Sequence, residues 1–143
     1  MKVVDANVLL YAVNQDSPRH EAARTWLDES LSGTEAVGFA WVVLLAFLRL
    51  STRQDLFQHP LSAEQAFDSV RAWLAAPQAV AVDPTVRHLE VLRGLMEPFG
   101  TAANLVNDAH LAALAVEHGA TVVSFDRDFG RFSGIRLEEP SSR

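Results

Sequence analysis

The chain has 143 residues, 49% of them apolar, no cysteine, and a formal net charge of −6. That length suits one domain with a real core, and the missing cysteines exclude disulfides and thiolate zinc sites while being compatible with a reducing cytoplasm. The charge argues against a general DNA-binding surface but not against a nuclease whose metal and local arginines handle phosphates.

Lys2 to Ala6 reads as a buried strand that ends on an acid, Asp5, and Val8 to Val13 as a helix or turn beyond it. Met1 runs straight into strand residues, so no signal peptide is expected. Ser17-Pro18 has the form of an N-cap followed by proline at the first helical position. Ala23, Trp26, Leu27 and Leu31 give that helix an apolar face, and Gly33 ends it. Val37 to Ala40 is a short strand. Trp41 to Ser51 is a largely apolar helix with Arg49 and Arg53 towards its far end. The longest apolar stretch, Val37 to Leu48, is too short to span a membrane. Ser62 to Gln65 is a capping-box pattern, leading a helix with Phe67, Val70, Trp73 and Leu74 on one side and a stop near Pro77. Ala79 to Val82 is a strand. Asp83-Pro84 starts a helix with Leu89, Leu92 and Met96 inward, closed by Pro98 and Gly100. Asp108 opens a helix that runs to His118 and stops at Gly119. Thr121 to Phe125 is a strand followed by Asp126-Arg127-Asp128, and Ile135 to Leu137 adds a last strand. The three tryptophans sit on apolar helical faces and are expected to pack.

Strands alternate with helices and read as continuous apolar runs. This is the pattern of an α/β fold with a parallel sheet covered on both faces. Right-handed crossovers place all strand carboxyl ends on one edge, where ligands bind. Asp5 and Asp126 then share that edge and Asp108 reaches it. Singly, each acid is an ordinary cap or turn residue; together they repel unless a cation lies between them, and oxygen ligands suit Mg²⁺ or Mn²⁺. Asn104 and Ser124 are polar neighbours of the acids. The five histidines are scattered, with no zinc spacing, no Ser/His/Asp order, no P-loop and no G-x-G-x-x-G. Eleven of the twelve basic residues are arginine, which suits phosphate contact and equally fits a base-composition bias. A phosphotransfer site on Asp5 is a rival reading, but one such chemistry needs a second Asp where Asn7 stands.

Lys2 to Leu10, with Asp5-Ala6-Asn7, resembles the opening of a PIN domain. Asn107 to Ala115 resembles that family's third acidic motif, and Val122 to Phe129 its closing motif. The resemblance covers residues 1–143 as a single domain, and the length is that of the VapC toxins of VapBC pairs. It implies a three-layer α/β/α PIN-like fold with a central, mainly parallel sheet. It also implies a cytoplasmic Mg²⁺-dependent endoribonuclease, with Mn²⁺ able to substitute, acting on RNA. The expected partners are a VapB-type antitoxin and a second copy in a homodimer, with no membrane. Asp5, Asp108 and Asp126 are carried over as the catalytic and metal-binding residues; apart from the resemblance, Arg127 or Arg49 is expected to assist the metal at the phosphate. One position departs. The family's second acid is usually a Glu on the helix after the second strand, and Ala46 stands there. This leaves an alternative: a catalytically weak PIN-like module that binds RNA.

Overall fold

Short runs rich in valine and alanine form five strands: β1 (Lys2–Val4), β2 (Val37–Phe39), β3 (Ala79–Ala81), β4 (Thr121–Val123) and β5 (Leu137–Glu138). Between them lie α1 (Ala6–Val13), α2 (His20–Leu31), α3 (Trp41–Ser51), α4 (Ala63–Ala75), α5 (His88–Met96) and α6 (Val106–Glu117). The computed structural model describes residues 1–141. Among them, no helix is long and apolar enough to cross a membrane.

All strand pairs are parallel, in the order β3-β2-β1-β4-β5. The chain steps from β1 to β2 and β3 in one direction, then returns to the other side of β1 for β4 and β5. Right-handed crossovers therefore put α1 to α4 on one face and α5 and α6 on the other, giving the expected three layers. Val3 and Val4 of β1 and Val122 and Val123 of β4 are fully buried, because both faces are covered. Gly38 lets β2 fit: a Cβ there would lie 2.5 Å from Cγ2 of Val82. α6 is the more deeply buried helix of its layer, with Ala109 and Leu111 to Ala115 buried. The reversal of strand order between β1 and β4 is a topological switch point, and their carboxyl ends form its crevice.

Several local expectations hold. The Ser62–Gln65 capping box forms in both directions. Trp73 packs on Phe39 and Phe47, at ring-centroid distances of 6.4 and 4.8 Å. Others are corrected. Ser17 does not cap a helix at Pro18; its Oγ accepts from the Arg19 N–H at 3.1 Å in a turn, and α2 starts at His20. α5 starts at His88 rather than at Asp83-Pro84, because the Thr85 N–H and hydroxyl donate to Glu117 Oε1 at 2.9 and 2.6 Å and tie the segment to α6 first. Leu92 and Met96 pack against the core as expected, but Leu89 is 72% exposed and Leu95 is buried. Phe67 and Trp41 also face outward, whereas Trp26 is buried and donates from Nε1 to Glu138 Oε2 at 2.7 Å.

Candidate active site

β1 ends at Val4, and α1 begins two residues later at Ala6. Asp5 occupies the junction as the N-cap of α1, its Oδ1 accepting from the Ala6 N–H at 2.7 Å. Its backbone N–H donates to Val123 O at 2.9 Å, which stitches the junction to the end of β4. Its Oδ2 accepts from the Ser124 hydroxyl at 2.7 Å. Ser124 is buried and acts as a hub. Its Oγ accepts from Asn7 Nδ2 and from the Asp126 N–H, both at 3.0 Å. Asn7 Oδ1 accepts from the Phe125 N–H at 3.2 Å. Asn7, Ser124 and Asp5 thus clamp the ends of β1 and β4 together and fix the carboxylate of Asp5.

Asp126 caps the short 3-10 turn Arg127–Arg131, with Oδ1 accepting from the Asp128 N–H at 2.9 Å. Asp108 comes from the opposite layer. It lies in the first turn of α6 as the third helical residue, three places after the N-cap Leu105, rather than at the N-cap position suggested by the sequence. Its Oδ2 accepts from Arg131 Nη2 at 3.1 Å. Arg131 also lies 3.9 Å from Asp128 Oδ2 and 5.2 Å over the Phe132 ring. The starts of α1 and α6 both point their positive ends at this edge, which favours anionic groups there.

The acids feel one another. Burial raises the pKa of Asp5 above the usual carboxylate value. Its hydrogen bonds from Ser124 and Ala6 act against this, and the charges of Asp108 and Asp126 raise it further. Asp108 is likewise raised, first by burial and then by Asp126 and Asp128, with Arg131 opposing. A cavity of about 380 Å³ opens between α3 and α6, and Asp5, Ala46, Arg49, Asn107 and Asp108 lie on its walls. Ala46 therefore faces the acids across the crevice.

The carboxylate oxygens gathered at this edge fit a hard divalent cation by type. Among the described residues, no three His, Asp or Glu side chains are gathered as a ready metal cage. A closed cage is not required, since Mg²⁺ keeps several waters and binds through one or two carboxylates.

The structure brings Asp5, Asp108 and Asp126 to one edge, and Ser124 with them. Asn104 is exposed on the turn before α6, and Asn107 faces the cavity instead. Asp128 is 76% exposed on its side chain and serves Arg131 rather than the cavity. Arg131 carries no sequence signal beyond being a basic residue shortly after the closing acids.

The PIN domain family model matches residues 2–135. The chain is 61% identical to Ribonuclease VapC37 of Mycobacterium tuberculosis, over 98% of this chain and 97% of that one. It is 40% identical to Ribonuclease VapC31 of the same species, over 98% and 99%. Among solved structures, VapBC2 from Rickettsia felis bound to a promoter DNA fragment superposes with a TM-score of 0.73 at 18% identity, covering 98% of both chains. VapC20 of Mycobacterium tuberculosis, described as a sarcin-ricin loop cleaving toxin, superposes with a TM-score of 0.62 at 19% identity, covering 95% and 99%. These two structures support the fold.

Proposed function

The chain belongs to the PIN-domain family, and from that premise we propose that it is a cytoplasmic metal-dependent endoribonuclease, the toxin of a VapBC-type toxin–antitoxin pair. Mg²⁺ is the working ion in this reading, and Mn²⁺ can replace it. The observation that carries the reading is the convergence of Asp5, from the end of β1, and Asp108, from α6, on one cavity.

Asp5 and Asp108, both on the cavity wall, would hold the ion. The ion, when bound, offsets charge at the scissile phosphate and lowers the pKa of the attacking water. Ser124 keeps Asp5 turned towards the cavity. Asp126, with Oδ1 occupied by the Asp128 N–H, would orient the attacking water through its second oxygen and take its proton. Arg49, on the cavity wall, donates to the phosphate as its negative charge grows. Single-stranded or looped RNA is the substrate, because its backbone and bases are accessible.

A VapB-type antitoxin and a second copy of the chain are the protein partners. Trp41 and Leu45, 49% and 57% exposed and one turn apart on α3 beside the cavity, offer an apolar strip for an antitoxin segment. Such a segment brings a Lys or Arg towards the acids. One observation favours a second reading. Ala46 leaves the cavity one carboxylate short, as expected of a module that binds RNA and cuts it poorly. The test is incubation of the purified chain with end-labelled single-stranded RNA in Mg²⁺, Mn²⁺ or EDTA. Shortened products with either metal and none in EDTA are expected. RNA retained on the protein but uncut in both metals supports the second reading.

A further inference from the structure

We infer that Arg19 is a substrate-binding residue that receives an RNA phosphodiester next to the one being cleaved. The inference rests on the ribonuclease reading above. The carboxyl edge of the sheet carries two arginines with no ion pair among the described residues: Arg49 on the cavity wall, and Arg19 on the other side, in the turn before α2. By contrast, Arg24, Arg53, Arg71, Arg93, Arg127 and Arg131 all face carboxylates.

Arg19 is exposed yet held. Its guanidinium carbon lies 5.2 Å from the centre of the Phe125 ring and 5.9 Å from that of Tyr11. Those two rings meet edge to face at 5.3 Å. Both belong to the active edge. Phe125 stands between Ser124 and Asp126, and its N–H donates to Asn7 Oδ1 at 3.2 Å. Tyr11 is one helical turn beyond Asn7 on α1. The turn is fixed as well, by the Arg19 N–H bond to Ser17 Oγ at 3.1 Å.

A guanidinium stacked on aromatic faces spends no N–H on them. Its donors stay in the plane, in the fork that matches a phosphate, and little side-chain freedom remains to be lost on binding. In a chain of net charge −6, a preorganised cation with no ion pair among the described residues, seated on the residue between Ser124 and Asp126, is where a polyanion gains most. Tyr11 adds a partly exposed ring beside the phosphate site, on which an unpaired base can stack. Single-stranded RNA fits this pairing of cation and ring better than a duplex, whose bases are covered.

The experiment measures binding of a short fluorescein-labelled single-stranded oligoribonucleotide across a salt series, in Mg²⁺. The background is Asp126→Asn, so that the RNA stays whole. Arg19→Met keeps the packing on Phe125 and loses the charge; Arg19→Lys keeps the charge. We expect Arg19→Met to weaken binding by about tenfold, the effect of one lost charge-assisted hydrogen bond. We expect its salt slope to shrink by about 0.7, that of one lost phosphate contact on a single strand. Arg19→Lys should retain most of the affinity and slope. Unchanged binding in Arg19→Met overturns the inference and leaves the ribonuclease reading standing. Equal losses in both variants, with lowered melting temperatures, make Arg19 a packing residue and overturn it too. If the background protein binds no RNA at all, the ribonuclease reading falls first.

Discussion

The guanidinium of Arg131 donates to Asp108 Oδ2 at 3.1 Å, so an internal cation already sits on one of the three acids. The same guanidinium is anchored on the Phe132 ring at 5.2 Å and lies near Asp128. A divalent ion arriving at Asp108 must compete with it. Arg131→Gln should therefore bind Mg²⁺ or Mn²⁺ more tightly, by roughly 1.4- to fivefold, since a solvent-accessible ion pair is worth about 0.2–1 kcal/mol. Calorimetric titration of the metal into both forms checks this. Unchanged affinity would mean that the Arg131–Asp108 contact survives metal binding.

Ser124 joins three groups at once: the Asp5 carboxylate, the Asn7 amide and the Asp126 N–H. Ser124→Ala leaves them unpaired and frees Asp5 to rotate. We predict a stability loss of about 1–3 kcal/mol from the orphaned groups. RNA cleavage should fall by about 10- to 100-fold, the range seen when the partner of a metal ligand is removed. Urea melts and initial cleavage rates measure the two effects. Ser124→Thr, which restores a hydroxyl, should recover much of both.

The raised pKa of Asp108 gives a definite pH dependence. A carboxyl whose folded pKa exceeds its unfolded one binds its proton more tightly in the folded chain. Its contribution to stability is present below the unfolded pKa, about 4, and is lost as pH rises through the folded pKa. The metal-free Asp108→Asn variant should thus gain stability relative to the parent as pH rises from about 4 towards neutrality. Added Mg²⁺ should stabilise the parent more at higher pH, because it binds the ionised acid. Thermal melts of both proteins in EDTA and in Mg²⁺ across that range decide it; a difference that shrinks with pH contradicts it.

The sheet was legible because each strand is a β-branched or small apolar run buried on both faces, and Asp5 and Asp126 stand immediately beyond two of those runs. Asp108 was legible through its motif rather than as a cap, since Leu105 holds the N-cap position of α6. The start of α5 was not legible. It depends on Glu117, 32 residues away, capturing Thr85, and no local pattern encodes that bond. Arg19 and Arg131 were hidden for the same reason: each is an ordinary surface arginine until the fold lays it over an aromatic ring. The histidines read as scattered, yet His88 Nε2 meets His110 Nδ1 at 2.8 Å across α5 and α6.

Ala46 lies on the wall of the cavity that holds Asp5 and Asp108, so a longer acidic side chain there points at the acids rather than into packed core. Ala46→Glu should tighten Mg²⁺ binding several-fold and raise the cleavage rate, since added carboxylate charge strengthens such sites. The cost of the larger side chain should stay below the roughly 1–3 kcal/mol of an overpacked core, because the cavity has room. Metal titration and cleavage rates on one preparation test this. A destabilised variant with unchanged or weaker Mg²⁺ affinity shows that the natural site needs only three acids.

The central claim is that Asp5, Asp108 and Asp126 form one metal-dependent centre for RNA hydrolysis. The most direct measurement is the single-turnover cleavage rate of single-stranded RNA in saturating Mg²⁺ for the parent, Asp5→Ala, Asp108→Ala and Asp126→Asn, each first shown to be folded by its melting curve. We predict losses of at least about 100-fold for each, since each removes either a ligand of the ion or the group that orients the water. A folded Asp5→Ala or Asp108→Ala protein that cleaves at the parental rate would contradict the metal-centre assignment.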